Sequence, residues 1–411
     1  MKKIYLDNQS NTILDDHIFE KMLPYFKENY GNPQSIYSLG QISKDAVEQA
    51  RNSVAKLINA KNNEIIFTSC GSEANNLAIK GFAFAHSKIN KHIIVSAIEH
   101  FSILNAVNSL KQHGFEITTV PVDKQGFVKI EALKQAMKDE TILVSIQHAN
   151  PEIGVIQNLS EIAKIVKNKN VALHVDAVAS AGMIPIDVEA LNIDMLTLSS
   201  SVMYGPKGAA AIYIRKGTPV KTQIDGGVQE FSKRAGTENV PAIAGFGAAC
   251  DLAAAEMRQN AAKMQILRDK LINGLKEKIK FIYLNGPVEN RLPNNVNFSI
   301  EFVEGEALFL LLDAKGIMAA SGSSCASKSL KMSHVLTALE VDTAVGQGSI
   351  VFTLSKYNTV EEIDYVINEF PAIVERLRQM SPLYDHFMKT GERMKAGPGT
   401  DYGHEHEHCE N

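Results

Sequence analysis

The sequence predicts an α/β protein in which short buried strands alternate with helices. Apolar, β-rich segments occur at 64–68, 92–96, 117–122, 142–146, 171–175 and 209–214. Segments of helical length separate them, such as 43–60, in which apolar residues recur at helical spacing and Ser43 is a candidate N-cap. This alternation indicates a mainly parallel sheet with helices on both faces.

The pattern changes near residue 258, where a long helical segment leads into shorter strand-like pieces. We therefore expect a large domain at 15–257 and a smaller α+β domain formed by 1–14 and 258–385. The end of the chain, 386–411, becomes rich in glycine, histidine and glutamate. Because it offers few apolar side chains to bury, we expect a mobile tail there.

The overall composition is that of an ordinary globular protein. Of the 411 residues, 45% are hydrophobic and 21% are charged, and the formal net charge is −4. This balance lacks the basic excess of a nucleic-acid-binding protein. No segment approaches the roughly 20 apolar residues of a membrane span, and no signal-peptide pattern follows the first lysines. We therefore expect a cytoplasmic protein with no nucleic-acid or membrane partner.

Four cysteines are present, far apart and without a CxxC pair. This spacing argues against a disulfide framework or a closed zinc site. Cys325 lies among small polar residues in 319–330, a setting typical of an exposed, reactive thiol. Cys250 lies in an alanine-rich helical segment and is expected to fill the core.

Several residues that could carry chemistry follow predicted strands. Gly71 and Ser72 stand between a strand and a helix, where backbone N–H groups can bind an anion such as phosphate. His100 and Asp176 end two other strands, at the sheet edge where open α/β proteins bind ligands. Each also has a plain structural reading, as a helix N-cap or an exposed loop histidine.

A series of motifs in fixed order gives the sequence a family resemblance. They are YLDNQSNT (5–12), GNPQSIYSLG (31–40), IIFTSCGSEANNLAIKG (65–81), SAIEH (96–100), HANPEIGVIQ (148–157), HVDAV (174–178), YGPKG (204–208), RAGTENVPAIAGFGAA (234–249), SGSSCAS (321–327) and SHVLTALEVD (333–342). From about residue 3 to 384 the chain resembles the cysteine desulfurases of iron–sulfur cluster assembly. The resemblance implies a fold-type-I pyridoxal-phosphate transferase with a mainly parallel seven-stranded sheet, acting as a homodimer.

The resemblance also implies roles for individual residues. The cofactor ring would stack on His100, its nitrogen would meet Asp176, and Asn150 would contact its hydroxyl side. Cys325 would be the nucleophile that takes sulfur as a persulfide. The implied phosphate ligands are Gly71, Ser72, Ser199 and, contributed across the dimer, Thr237.

At five positions the chain departs from the family pattern. In TLSSSVMYGPKG (197–208), which indicates a strand end, a turn and a glycine loop, the family's histidine–lysine pair falls on Ser201 and Val202. Valine can neither form a Schiff base nor move protons. Val351 replaces the arginine that grips the substrate carboxylate, Ala179 replaces a glutamine, and Pro151 replaces an asparagine. The family also has a lysine matching Lys207, so that residue is expected to serve loop structure rather than replace the lost one.

These departures predict a degenerate family member that works through Cys325. It would carry sulfur, or complete an iron–sulfur cluster held by a scaffold protein, with pyridoxal phosphate bound non-covalently or absent. The alternatives are an active cysteine desulfurase that converts L-cysteine to L-alanine, and a related enzyme with a changed ligand. A second candidate metal site is formed by tail residues that share one face of an extended chain, the alternative being a solvated polar end. These residues are His404, His406, His408 and Cys409.

Overall fold

The computed structural model describes residues 3–88, 91–322 and 332–393. The predictions for Cys325, His404, His406, His408 and Cys409 therefore lie outside the described residues. The strands are β1 (Ile4–Tyr5), β2 (Ile65–Thr68), β3 (His92–Ser96), β4 (Glu116–Val120), β5 (Thr141–Ser145), β6 (Ala172–Asp176), β7 (Met195–Ser199), β8 (Ala210–Ile214), β9 (Ile282–Leu284), β10 (Asn295–Ile300), β11 (Ile317–Met318) and β12 (Ser349–Thr353).

Helices cover both sides of these strands. They are α1 (Asp16–Met22), α2 (Pro24–Lys27), α3 (Ser38–Leu57), α4 (Gly71–Asn76), α5 (Phe82–His86), α6 (Phe101–Lys111), α7 (Ile130–Ala136), α8 (Leu159–Lys167), α9 (Gln229–Ser232), α10 (Val240–Lys278), α11 (Gly305–Asp313), α12 (His334–Ala338), α13 (Thr343–Gly346), α14 (Val360–Gln379) and α15 (Pro382–Thr390). A π-helical turn, Leu77–Gly81, joins α4 to α5. Helix α3 begins at Ser38, so the N-cap prediction for Ser43 is wrong; Ser43 is buried and donates to the carbonyl oxygen of Asn29.

The large sheet has seven strands in the order β2-β8-β7-β6-β5-β3-β4. Strand β8 is antiparallel to both of its neighbours, and all other pairs are parallel. Alternate side chains reach opposite cores: Ile94 packs on one face, whereas Ile93 and Val95 pack on the other. Burial on both faces explains why the strands read as continuous apolar runs, and the predicted fold class is confirmed.

A smaller set of strands forms a second core. Strands β12, β10 and β9 make an antiparallel sheet, and β1 pairs in parallel with β11. Helix α10 is continuous across the change in sequence pattern near 258. Its Phe246 and Cys250 pack in the core of the large sheet, whereas Leu267 and Leu271 pack in the second core. The domain boundary at 257 remains a proposal, since one helix serves both cores.

Helix α10 is also, within the described ranges, the one helix long and apolar enough to suit a membrane span. Its apolar side chains instead pack in the two cores. A core helix of a globular protein can be as long and as apolar as a membrane span. Cys250 on this helix is fully buried, and burial raises the pKa of its thiol. Both observations fit the core-filling interpretation of this segment.

Candidate functional site

A cavity of about 360 Å³ lies beside the carboxyl ends of the parallel strands. Its lining comes from the turns after β2, β3, β5, β6 and β7, together with residues near the N-terminus and before β10. Gly71, Ser72, His100, Asp176 and Ser199 all line it, so the structure brings these five predicted residues together. The reason is topological, because parallel strands present their carboxyl ends at one sheet edge.

Asp176, the last residue of β6, is buried at the floor of the cavity. Its carboxylate accepts hydrogen bonds from the side-chain amide of Asn75 (2.8 Å) and the backbone N–H of Val178 (2.9 Å). Burial raises its pKa, while these hydrogen bonds and His100 oppose the shift. An acidic group in this position can pair with a ring N–H.

His100 is the N-cap of α6 and also lines the cavity. Its Nδ1 accepts from the backbone N–H of Ser102 (3.1 Å) and lies 2.7 Å from the Ser102 hydroxyl. That hydroxyl in turn accepts from the Asn75 amide at 2.8 Å. One network therefore joins His100, Ser102, Asn75 and Asp176, so the capping and functional readings of His100 are compatible.

The amino end of α4 forms the second polar part of the cavity. Cys70 is its N-cap, and Gly71 and Ser72 are its first residues. A Cβ at Gly71 would lie 3.0 Å from Val178, so the close approach of this turn to the β6 turn favours glycine. The hydroxyls of Ser199 and Ser201 lie 3.2 Å apart on the same cavity. Hydroxyls and helix-terminal N–H groups are suited to a phosphate.

The polar residues described in the preceding paragraphs are called the polar wall: Gly71, Ser72, Asn75, His100, Asp176, Ser199 and Ser201.

A second group of lining residues, the apolar wall, comprises Ala179, Met183, Val202 and Leu292. Val202 ends a 3₁₀ turn, Ser200–Val202, directly after β7. Among the residues that the structure describes, no lysine or arginine lines the cavity. Lys207 is exposed elsewhere, as expected of a loop residue.

Three other predicted positions are placed differently. Asn150 is buried outside this cavity: its Oδ1 accepts from the N–H groups of Glu152 and Ile153, and its amide donates to Ile98. Thr237 is exposed and does not line the cavity of its own chain. Val351 is fully buried in β12, hydrogen-bonded through its backbone to Ala320, and does not line the cavity either.

Sequence reasoning missed several lining residues, including Gln9, Asn75 and Asn294. Asn75 lies one turn into α4, so the motif that supplied Gly71 and Ser72 could have indicated it. Gln9 lies in the motif YLDNQSNT (5–12), which could have indicated it, whereas Asn294 approaches from a distant part of the chain and gave no local signal. The side-chain oxygens of Asn75 and Asn294 are buried without a protein partner in the described part of the chain. Such acceptors mark a place where a ligand or water donates a hydrogen bond.

Taken together, the donor set fits the ring and phosphate of pyridoxal phosphate but not its covalent attachment. Asp176 suits the ring nitrogen, and Ser72, Ser199 and Ser201 suit the phosphate. A Schiff base needs an amine, and Val202 offers only methyl groups. Within the described part of the chain, the cavity lining holds no amine for that bond.

Comparison with known proteins gives a consistent result over nearly the whole chain. The aminotransferase class-V family model matches residues 4–366. A cysteine desulfurase IscS from Dictyoglomus turgidum is 48% identical over 381 residues, covering 93% of this chain and 97% of that protein. Another, from Methanosarcina thermophila, is 49% identical over 382 residues, covering 93% and 94%. The solved structure of a NifS-like protein has a TM-score of 0.87 at 38% identity, covering 92% of this chain and all (100%) of that one.

Proposed function

The chain belongs to the aminotransferase class-V family and is a homologue of the cysteine desulfurases, and from this premise we propose its function. We propose that it serves iron–sulfur cluster assembly or sulfur transfer through Cys325, without normal desulfurase turnover. Cys325 would carry a persulfide, or complete a cluster held by a scaffold protein.

One observation carries this proposal: Val202 lines the cavity where the family resemblance expects the Schiff-base lysine, and no described lining residue replaces the amine. The arginine and the glutamine that the family resemblance expects are also absent, because Val351 and Ala179 stand in their places, and this points the same way. A neighbouring amine would have to be placed with sub-ångström accuracy to restore the reaction.

Pyridoxal phosphate, when bound, supplies a ring that withdraws electrons from the carbon next to a substrate amine. In this chain Asp176 would hold the ring nitrogen, His100 would lie on the ring, and the α4 turn with Ser199 would hold the phosphate. The apolar wall would exclude water from its part of the cavity. These groups bind and orient the cofactor, but none of the residues on the apolar wall can hold or move a proton.

The second candidate is an active cysteine desulfurase that produces L-alanine and a Cys325 persulfide. The named relatives are cysteine desulfurases at 48% and 49% identity, and on similarity alone they support this candidate better than the first. The residues of the polar wall that match the family pattern, such as His100, Asp176 and Ser199, also favour it. The side chains of the apolar wall are the reason for preferring the first.

Sulfide release separates the two candidates. Purified protein supplied with pyridoxal phosphate, L-cysteine and a thiol reductant is expected to release sulfide only at the background rate, equal to that of Cys325→Ala. Release well above background that disappears in Cys325→Ala would overturn the proposal in favour of the active enzyme. Cys70→Ser is the matched control, because Cys70 is an exposed thiol that lines the cavity.

The scaffold role has its own test. A cluster formed on an iron–sulfur scaffold protein bound to this chain is expected to decay faster with Cys325→Ser than with Cys70→Ser. Equal decay in the two variants would remove cluster ligation and leave sulfur transfer. The readout is the visible absorbance of the cluster with time.

We also propose a cytoplasmic homodimer, as the family resemblance implies. Support comes from large apolar side chains that are exposed on the single chain near its N-terminus. These are Phe26, Tyr30, Ile36 and Tyr37. Light scattering is expected to give twice the chain mass, and Ile36→Asp is expected to lower it toward the monomer; a wild-type monomer would contradict the proposal.

A further inference from the structure

One ion pair adjoins the polar wall without lining the cavity. Arg234 Nε lies 2.9 Å from Glu73 Oε1, and Arg234 Nη2 lies 3.5 Å from Glu73 Oε2. Both side chains are largely buried, with exposed fractions of 23% for Arg234 and 17% for Glu73. Ser72, the residue before Glu73, does line the cavity. The function proposed above uses neither member of this pair.

Glu73 joins the two ends of the turn that supplies Gly71 and Ser72. Its Oε2 accepts from the backbone N–H of Ser69 at 2.9 Å and also from the Ser69 hydroxyl. Ser69 precedes residues 70–72 and Glu73 follows them, so one carboxylate closes this short loop, which we call turn 70–72. Burial raises the pKa of Glu73, but the hydrogen bonds from Arg234 and Ser69 outweigh burial and lower the pKa overall. The carboxylate is therefore charged near neutral pH.

Arg234 is in turn fixed to the large sheet. Four residues earlier in the chain, buried Glu230 forms a two-point ion pair with Arg51, at 2.7 and 2.9 Å. The same carboxylate accepts from the backbone N–H of Phe67 on β2 at 2.7 Å. Residues 230–232 have φ angles of 47°, 55° and 60°. Non-glycine residues keep such left-handed backbone only where the surrounding contacts determine it. The segment that carries Arg234 is therefore a firm support for Glu73.

The chemistry of a phosphate explains why such a brace matters at this turn. A phosphate ester carries about two negative charges near neutral pH. In the described part of the chain no lysine or arginine lines the cavity, so backbone N–H groups and hydroxyls have to hold the phosphate. Hydrogen bonds from such groups weaken steeply when their direction is wrong. The affinity for a phosphate therefore depends on the shape of turn 70–72.

Glu73 acts on a phosphate in two ways that have opposite signs. As an anion close to the turn, it repels a phosphate, and the charge of Arg234 offsets this repulsion. As the acceptor that closes the turn, it keeps the donors of Gly71 and Ser72 in place. Removing the charge of Glu73 therefore shows which of the two effects is larger.

We propose that Glu73 is a positioning residue for the cofactor phosphate. Braced by Arg234, it closes turn 70–72 so that the N–H groups of Gly71 and Ser72 and the Ser72 hydroxyl are directed at the phosphate. The inference rests on the proposed function, in which this turn and Ser199 hold the phosphate. It is the same for an inactive homologue and for an active enzyme, because both would use one phosphate site.

The test compares the binding of pyridoxine 5′-phosphate with that of pyridoxine. Both ligands carry an alcohol in place of the aldehyde, so neither forms imines with surface lysines, and they differ only in the phosphate. The chain has no tryptophan, so the fluorescence anisotropy of the pyridoxine ring reports binding without interference from tryptophan emission. The ratio of the two dissociation constants measures the preference for the phosphate. We expect the wild type to bind the phosphate ester at least about tenfold more tightly.

Variants of the brace are expected to lower this preference. Glu73→Gln should lower it about fivefold, because the amide replaces one of the two accepting oxygens with a donor. Glu73→Ala should lower it at least as much. Ser69→Ala removes one donor to Glu73 without any change of charge, and should lower the preference by a smaller factor. If repulsion by Glu73 were the larger effect, Glu73→Gln would instead raise the preference.

Asp194→Asn is the matched control. Asp194 pairs with Lys167 at nearly the same burial, with exposed fractions of 15% and 22%, and its carboxylate also accepts from a backbone N–H, that of Leu173. Asp194 precedes β7, whereas the cavity lies at the carboxyl ends of the parallel strands, so neither dissociation constant should change. Pyridoxine is the internal reference in every variant, because general damage to the fold weakens both ligands and leaves their ratio unchanged.

Two results would overturn the proposal. If Glu73→Gln and Glu73→Ala leave the preference within about twofold of the wild type, or raise it, Glu73 does not position the phosphate. If the wild type binds the phosphate ester no more tightly than pyridoxine, or binds neither, the cavity does not recognise a phosphate and the proposal is wrong. Both results are independent of sulfide release, which tests the proposed function.

Discussion

The polar wall and the apolar wall of the cavity differ in how their side chains are tied to the rest of the fold. On the polar wall, Asp176 accepts from Asn75 and Val178, and His100 caps α6. On the apolar wall, Val202 and Ala179 present methyl groups to the cavity. Asp176 and His100 therefore also serve the protein, whereas the methyl groups of Val202 and Ala179 can make no such hydrogen bonds.

This difference shows that a retained polar residue and a lost polar residue do not carry equal information about present function. A polar residue with a structural partner can persist after its ligand is lost, because removing it would leave buried groups unsatisfied. A catalytic lysine without structural partners can become valine at little cost in stability. The apolar wall is therefore the better guide to the present chemistry, and variants of the two walls test this directly.

The largest effect is expected from returning an amine to the apolar wall. After free pyridoxal phosphate is removed, borohydride treatment of the wild-type protein should leave no covalent adduct on any cavity-lining residue by peptide mass spectrometry, since Val202 cannot form an imine. Val202→Lys should give an adduct on most molecules.

Val178→Lys is the matched control for that experiment, because Val178 lines the same cavity from the β6 turn. Trapping by Val202→Lys but not by Val178→Lys would show that only position 202 is correctly placed. Near-complete adduct on one lysine of the wild-type protein, protected from exchange with free cofactor, would mean that another amine of the chain reaches the bound cofactor, and the proposal of an inactive homologue would be wrong.

The next effect concerns the polar wall. Asp176→Asn removes the charge but keeps the shape, so pyridoxal phosphate is expected to bind about tenfold or more weakly, the value of a charge-assisted hydrogen bond. The measurement is the dissociation constant from cofactor absorbance, together with the thermal midpoint. Asp187→Asn, at an exposed residue that accepts from Ala190, is the control. A fall in thermal midpoint with unchanged affinity would assign Asp176 to the fold alone.

Much of this arrangement could be predicted from sequence, and the rest has a physical reason for being hidden. Gly71, His100 and Asp176 follow strands, and strand ends of a parallel sheet converge, so their meeting was predictable. Asn294 reaches the cavity from a distant segment outside the quoted motifs, so no local pattern indicates it. Asn150 looked like a ligand because of its motif, yet its side chain is used by the turn that it begins. A motif gives residue types, but hydrogen-bond partners decide which of them remain free.

A smaller effect is expected on the pH dependence of stability. Burial raises the pKa of Glu99 to about 8, with Asp176 adding to the shift. The neutral form is favoured on folding, so this contribution to stability is complete below the ordinary pKa and is lost as pH rises through about 8. Glu99→Gln, which cannot ionise, should lose about 1 kcal/mol less than the wild type between pH 7 and pH 8. Urea unfolding at both pH values measures the two losses of stability. Glu301→Gln is the control, because Glu301 is a buried carboxylate that contacts Tyr283 and Arg393. Equal losses in Glu99→Gln and in the wild type would contradict the prediction.

The smallest effect is expected at Ala179, where the family has a glutamine. Ala179 is partly exposed and lines the cavity, so a longer side chain has room to enter it. Ala179→Gln should tighten pyridoxal phosphate binding about two- to fivefold, because one hydrogen bond to a neutral partner contributes ~0.5–1 kcal/mol. Ala179→Leu has similar bulk without the amide and should not tighten it. If leucine tightened binding as much as glutamine, apolar contact would explain the gain, and the apolar wall would then be a surface suited to a different, less polar ligand.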